Sequence, residues 1–125
     1  MAALGCHCEN GARSARLAQS VNTSASFIRR VLAKLSRSGL VRTSMGQNGA
    51  CRLARKPREI SLLDIYRAVD APKAFAIHAY APQNSCMVSC NIKKALESVL
   101  QQTQRNMERS LAKIKLADVI GDLEK

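Results

Sequence analysis

The sequence predicts a mainly α-helical fold with a small β-hairpin wing: a winged helix-turn-helix followed by a long C-terminal dimerisation helix. Three observations lead to it. Two short helical segments joined by a tight turn precede "LVRTSMGQNGACRLAR" (residues 40–55), which reads as two strands around a glycine-bearing turn. That hairpin carries three arginines and no acid. Farther on, apolar residues recur every three or four positions over residues 89–113, the period of an amphipathic helix.

A chain of 125 residues makes one domain, or one domain with an appendage. It is 46% hydrophobic, but with no Trp, two Phe and two Tyr its core must be aliphatic. Twenty Lys and Arg against nine Asp and Glu leave a formal charge of +11 and a pI near 10.0. Such a balance points to a polyanionic partner. Residues 1–60 hold eleven of the basic groups and two acids, a net of +9, whereas residues 61–125 hold nine and seven, a net of +2. The basic half is expected to meet the polyanion and the near-neutral half to do something else.

No apolar run approaches the roughly 18 residues a membrane span needs. The opening Met-Ala-Ala-Leu-Gly-Cys lacks a basic n-region and a long apolar stretch, so no signal peptide is expected. Five cysteines without an even framework of spacings suit a reducing cytoplasm.

Taken in order, residues 1–9 read as the tail of a helix ending near Asn10-Gly11. Residues 12–20 read as a second short helix, with Ala15, Leu17, Ala18 and Val21 on its apolar side. Val21-Asn22-Thr23 is a turn, after which Thr23 or Ser24 caps a third helix over about 24–38. Its Ile28, Val31, Leu32 and Leu35 should face the core. Arg30, Lys34 and Arg37 follow at i, i+4 and i+7, with Ser26 and Arg29 alongside. A charged stripe of this kind is usually a solvated face. Here it lies on the second of two turn-linked helices and is followed directly by a basic hairpin, which is the helix-turn-helix pattern with a wing. The wing's arginines then have a reason to be there: they reach phosphates flanking the groove that the helix enters.

Ser61 and Asp64 form a Ser-x-x-Asp capping box for a helix over 61–70, with Leu62, Ile65, Tyr66 and Val69 on its apolar face. Pro72 and Pro82 bracket AFAIHAYA, a strand or irregular connection. In the long helix, Ile92, Leu96, Val99, Thr103, Met107 and Leu111 make a narrow seam that continues to Ile114. A small domain has little to lay against so long a seam, so a second copy is the expected cover. The expected division is a DNA-binding unit over 1–71, a connecting segment over 72–88, and a dimerisation helix with a C-terminal tail over 89–125.

These pieces resemble the Rrf-type winged-helix transcriptional regulators, the family of the regulators IscR, NsrR and CymR. The matching stretches are LAQSVNTSASFIRRVLAKLSRSGLVRTSMGQNGACRLAR, ISLLDIYRAVD, NSCMVSCNIKKALESVL and KIKLADVI, which span nearly the whole chain. Members of that family begin earlier, so the first half of helix one is expected to be missing here. The resemblance implies a homodimer on near-palindromic double-stranded DNA, most often a repressor, with the long helix pairing the subunits. By position it implies Ser24, Ser26, Phe27, Arg29 and Arg30 at the major groove, with Lys34 beside them. The wing residues Arg42, Gln47, Asn48 and Arg52 complete the expected DNA-binding set. Family members often carry Arg-Gly-x-Gly-Gly-Tyr at the wing tip; this chain has Met45-Gly46-Gln47-Asn48-Gly49-Ala50-Cys51. An arginine inserted into the minor groove from that tip is therefore not expected, and Arg42 and Arg52 are assigned to phosphate.

Cluster-binding members place three cysteines before the long helix. Here only Cys86 and Cys90 stand there, in a C-x3-C spacing, against the four ligands that iron–sulfur clusters usually need. The chain is thus expected in the cluster-free branch, with no cofactor and with Cys86 and Cys90 as a candidate redox pair or simply as packed thiols. Cys6-His7-Cys8-Glu9 holds metal-ligand types, but Cys6 and Cys8 at i, i+2 point to different sides of a helix. No metal is assigned to them, and His78 has no cysteine or acid beside it in sequence. No Gly-rich phosphate loop, paired-carboxylate motif or serine–histidine arrangement argues for an enzyme. Two other readings stay open: a basic nucleic-acid-binding module without a regulatory role, and a thiol- or metal-dependent enzyme.

Overall fold

The computed structural model describes residues 1–7, 11–44, 50–74 and 85–125. Gln47 and Asn48 at the wing tip, Cys8 and Glu9, and His78 with most of the AFAIHAYA segment lie outside those residues. The described elements are α1 (Ala2–His7), α2 (Ser14–Ser20), α3 (Ala25–Arg37), β1 (Val41–Thr43), β2 (Cys51–Leu53), a 3-10 turn (Pro57–Glu59), α4 (Leu62–Ala68), α5 (Met87–Lys113) and α6 (Leu116–Leu123).

Three of the helices stop by the same device. After α3, the N–H of Leu40 donates to the Leu35 carbonyl and that of Gly39 to the Ser36 carbonyl, both at 3.0 Å. This pair of bonds defines a Schellman end, which needs a left-handed residue between them, and Gly39 has φ 74. Asn22 (φ 53) ends α2 in the same way, with Thr23 bonding back to Ala18. Asp70 (φ 51) ends α4, with Ala71 bonding back to Tyr66. Asn and Asp tolerate this conformation better than other side-chain-bearing residues, which is why they stand at these two corners.

The core is aliphatic, as the composition requires. Leu4, Leu32, Leu35, Leu40, Val41 and Ile60 are buried together with Leu116 and Ile120. Ile28 and Val31 are half-buried against this cluster, as is Leu17 of α2. Ala15 and Val21, expected on the inner side of α2, are exposed. Ala18 is the residue α2 buries.

β1 and β2 pair antiparallel in the register Val41↔Leu53, Arg42↔Arg52, Thr43↔Cys51. The other edge of β2 pairs with Ala12, whose N–H donates to the Cys51 carbonyl at 2.8 Å and whose carbonyl accepts from Cys51 at 2.7 Å. Ala12 is therefore extended, and the helix expected over 12–20 begins at Ser14. The cause is a long-range pairing that local propensity does not report.

The C-terminal end departs further from expectation. Residues 116–123, read as a C-terminal tail after the long helix, form α6, which packs on α1 and the 3-10 turn. Gly5 of α1 lies against Ile120, so close that a side chain there would collide with it. The break falls at Ile114, whose backbone is extended (φ −91, ψ 128). The Ile114 carbonyl accepts from Leu62 at 2.9 Å, and the Leu116 N–H donates to Ile60 at 2.8 Å. These bonds stitch the α5–α6 elbow to the start of α4, where Ser61 and Asp64 make the expected capping box: Ser61 N–H to the Asp64 carboxylate at 3.0 Å, and Asp64 N–H to Ser61 Oγ at 3.1 Å.

α5 starts at Met87, two residues before the expected position, with Cys86 at its N-cap. It buries none of its residues. Midway, Gln104 ties it to the body: its Nε2 donates to the Tyr66 hydroxyl at 2.9 Å and its Oε1 accepts from the Ala74 N–H at 3.0 Å. The Tyr66 hydroxyl in turn donates to the Pro72 carbonyl at 2.7 Å.

Candidate nucleic-acid interface

α2 and α3 are joined by the Asn22 corner and a single cap, so their relative placement is fixed by few residues. Ser24 is that cap; its Oγ accepts the Phe27 N–H at 3.2 Å. The inner side of α3 is anchored by Leu32 and Leu35, which turns Ser26, Arg30, Ala33 and Arg37 outward in one stripe by helical spacing. All four are exposed. Phe27 is 48% exposed in the first turn, an unusual place for one of two phenylalanines in the chain. The Arg30 guanidinium sits 5.9 Å from its ring centroid, a cation–π distance that braces both side chains.

Lys34 stands apart from the stripe. It is half-buried, with its Nζ 3.4 Å from the Val69 carbonyl and 3.7 Å from the Asp70 carboxylate. This corrects the expectation that Arg30, Lys34 and Arg37 share one outward face: α4 packs on α3, and Val69 and Asp70 at its end hold the Lys34 side chain there. Its ammonium is engaged there.

On the hairpin, Arg42 and Arg52 are exposed and directly opposite each other in register. Like charges facing across two strands oppose pairing. Among the described residues neither has an acidic partner. Beyond β1, the Ser44 Oγ accepts from Ala50 N–H at 2.9 Å and donates to Ala50 O at 3.2 Å.

Between α3 and the hairpin runs an open groove of about 530 Å³. It is lined by Arg29, Ser36 and Arg37 of α3, by Thr43 and Ser44 of the hairpin, and by Ser14 of α2. Leu32, Ala33 and Cys51 floor it. Burial pushes the Cys51 thiol's pKa up, keeping it protonated. Arg29, Ala33 and Arg37 follow at i, i+4 and i+8, a spacing visible in the sequence. The hairpin wall opposite them depends on tertiary packing and was not.

The expected seam divides along α5. Ile92, Leu96, Val99 and Thr103 are exposed, as are Met87 and Val88 before them; Met107 and Leu111 are half-buried. The Thr103 hydroxyl is turned onto its own helix, donating to the Val99 carbonyl at 2.9 Å. Cys86 is half-buried, its Sγ accepting the Ser89 N–H at 3.4 Å, and Cys90 is exposed one turn later. No helix of the described residues is long and apolar enough to cross a membrane.

Comparison with known proteins agrees with this arrangement. Residues 1–122 match the family described as "Rrf2: Iron-dependent Transcriptional regulator". YwnA of Bacillus subtilis (strain 168), described as an HTH-type transcriptional regulator, is 37% identical over 108 residues, covering 86% of this chain and 80% of that protein. A transcriptional regulator from Lactobacillus plantarum superposes with a TM-score of 0.82 at 23% identity, over 98% of this chain and 83% of that one. IscR of T. potens superposes with a TM-score of 0.70 at 24% identity, over 98% and 78%.

The family's description names iron, but the described residues of one chain do not fit an iron centre. No three of its His, Cys, Asp and Glu side chains group as ligands. Cys86 and Cys90 supply two thiols at the tip of α5, whereas Cys51 is buried in the hairpin. With the helix-turn-helix, the basic hairpin and the match over residues 1–122 in agreement, this chain belongs to the Rrf2 family of DNA-binding transcriptional regulators.

Proposed function

We propose that the chain is a homodimeric repressor that binds a near-palindromic operator. α3 enters the major groove, Arg42 and Arg52 of the wing meet flanking phosphates, and α5 pairs with α5 of a second copy. The observation that carries this reading is the coexistence of two uncovered faces of opposite chemistry. One is the basic outer side of α3 and the hairpin, which a polyanion covers. The other is the apolar stripe Met87, Val88, Ile92, Leu96 and Val99, which water does not satisfy and which no other element among the described residues covers. Exposed apolar stripes of this kind mark interaction sites. A dimer then presents two copies of α3 to half-sites about 34 Å apart, one turn of DNA. Within α3, Ser26, Phe27 and Arg30 stand in the first turns, where side chains reach base edges; Phe27 suits a thymine methyl and Arg30 a guanine. Repression follows the family resemblance.

Selection of bound fragments from the source genome, followed by titration, tests the reading. A selected operator should outcompete random duplex by ~10³ or more. Arg30→Ala should cost about 1–3 kcal/mol on the operator and little on random duplex. If selection yields no preferred sequence, the chain is a general nucleic-acid binder and the regulatory reading is wrong.

A further inference from the structure

We infer that the hollow between the end of α4 and the C-terminal half of α5 binds a small zwitterion of the free amino-acid class, and that the bound molecule acts on α3 through Asp70. The site stands on its own geometry; its effect on DNA rests on the regulatory reading of the chain. The hollow holds about 330 Å³, at the low end of the roughly 300–1,000 Å³ of small-molecule sites. Tyr66, Arg67, Asp70 and Lys73 line it from α4 and the chain that follows, and Gln104 and Glu108 from α5.

Three observations carry the inference. The first is charge. In a chain of formal charge +11, this hollow is lined by two cations and two carboxylates. Of the four, Asp70 alone is in an ion pair, with Lys34 of α3. Arg67, Lys73 and Glu108 have no ion-pair partner among the described residues, although Glu108 is half-buried. Opposite charges that share a hollow without meeting leave a gap for a molecule that bears both signs. A simple anion would face Asp70 and Glu108, and a simple cation Arg67 and Lys73, so either is repelled by half of the site. An α-amino acid answers both, its carboxylate on the Arg67 fork and its ammonium on Glu108.

The second observation is a preformed shape. The Ala74 N–H donates to Gln104 at 3.0 Å, Gln104 to the Tyr66 hydroxyl at 2.9 Å, and that hydroxyl to the Pro72 carbonyl at 2.7 Å. These bonds hold α4, α5 and residues 72–74 around the hollow before a ligand arrives, which lowers the ordering cost of binding. Glu108 lies one turn beyond Gln104, about 6 Å along the axis at 1.5 Å per residue, so the same bonds position its carboxylate. The third is connection. Asp70 lines the hollow and also lies 3.7 Å from the Lys34 ammonium, whose other partner is the Val69 carbonyl. Its side chain is 80% exposed and within a ligand's reach. A ligand ammonium drawn to Asp70 competes with Lys34 and weakens the grip of α4 on α3. Two molecules coupled in this way change each other's affinity by the same factor. The amino acid should therefore lower operator affinity, and the operator should lower affinity for the amino acid.

Thermal unfolding of the full chain with each of the common L-amino acids at millimolar concentration, followed by calorimetric titration, tests the site. At least one amino acid should stabilise the protein. Its N-acetyl and carboxamide derivatives, each lacking one of the two charges, should not. Glu108→Gln and Arg67→Gln, with folding checked by circular dichroism, should abolish the stabilisation. The bound amino acid should weaken operator binding by roughly 5-fold or more. Lys34→Met should still bind the amino acid but lose that shift, measured as the ratio of operator affinities with and without it. If no amino acid binds, or if binding survives both glutamine variants, the site is wrong while the regulatory reading stands. Equal binding of either singly charged derivative would make the hollow an ordinary ion site and overturn the zwitterion. Binding that leaves operator affinity unchanged overturns the route through Asp70. If the wild type selects no operator, the regulatory reading falls, and the unfolding series still decides the site.

Discussion

α3 and α5 share a pattern and differ in fate. Both carry apolar residues at helical spacing with charged residues between them. In α3 the apolar stripe goes inward, leaving Leu32 7% and Leu35 3% exposed, and the polar side is what remains for a partner. In α5 nothing is buried, and Leu96 and Val99 remain 41% and 58% exposed. The difference lies in where each helix is held. α3 is fixed at both ends, by the Ser24 cap and the Gly39 turn, with α2, β1 and α4 against it. α5 is fixed at its C-terminal half, by Gln104 and by the Ile114 elbow. Its 27 residues span about 40 Å at 1.5 Å per residue, so its N-terminal half has outrun the domain. An amphipathic pattern says that a face must be covered. Chain length and anchoring say by what.

The comparison breaks most directly at the bare half of α5. Leu96→Asp with Val99→Asp should leave the winged-helix body folded, because neither residue is in its core. In the dimer the same pair places charges in an apolar seam without partners, at about 3–5 kcal/mol for an unpaired buried charge. Sedimentation should show monomers, and affinity for a palindromic site should collapse as the two half-sites lose their linkage. A double variant that remains dimeric would mean the seam is not the interface.

How far the sequence carried this reading follows the same division. Local signals were legible: the Ser24 cap, the Ser61–Asp64 box and the glycine-bearing turn between the two strands of the hairpin. Features made by contacts distant in sequence were not. Ala12 gave no sign of pairing with Cys51, and residues 116–123 read as a C-terminal tail because nothing local in them reports the packing of α6 on α1. Lys34 fitted an outward stripe on paper, and only the position of α4 turned it aside. The start of α5 was misjudged because Cys86 is an unusual N-cap and the exposed Met87 and Val88 read as connection. The candidate site was legible where it lies on one helix, in Ser26, Phe27 and Arg30. Its groove was not, because the opposite wall is the hairpin.

The Gln104 latch offers a finer test of what anchoring does. Gln104→Leu keeps the volume but removes both the donor to Tyr66 and the acceptor for Ala74, at about 1–3 kcal/mol for polar groups left unpaired. The body should still fold and α5 should still pair, since the bare seam is untouched. The angle between α5 and the body would loosen, however, and with it the distance between the two copies of α3. Operators with half-sites moved by one or two base pairs should then be bound more nearly equally than by the wild type. If the spacing preference is as sharp as before, the elbow alone sets the angle of α5.

The smallest expected effect concerns that elbow. The Asp64 carboxyl is held below its usual pKa first by the Ser61 backbone N–H, then by the Ser61 hydroxyl, with Arg55 and Lys115 adding positive charge nearby and partial burial opposing them. A carboxylate whose folded pKa is depressed stabilises the fold above its unfolded pKa, about 3.9 for Asp, and loses that contribution as pH falls through the folded value. Asp64→Ala should therefore cost about 1 kcal/mol near neutral pH, the ordinary worth of a helix cap. The gap between wild type and variant in urea midpoint should close as the medium becomes more acidic than that ordinary value. Because Ser61 also bridges to Lys115, the variant should raise amide exchange at Leu62 and Leu116 ahead of the α3 core. A gap that stays constant into acid would mean that the side chain at position 64 stabilises α4 by packing, and that the fixed end of α5 is held by its backbone bonds alone.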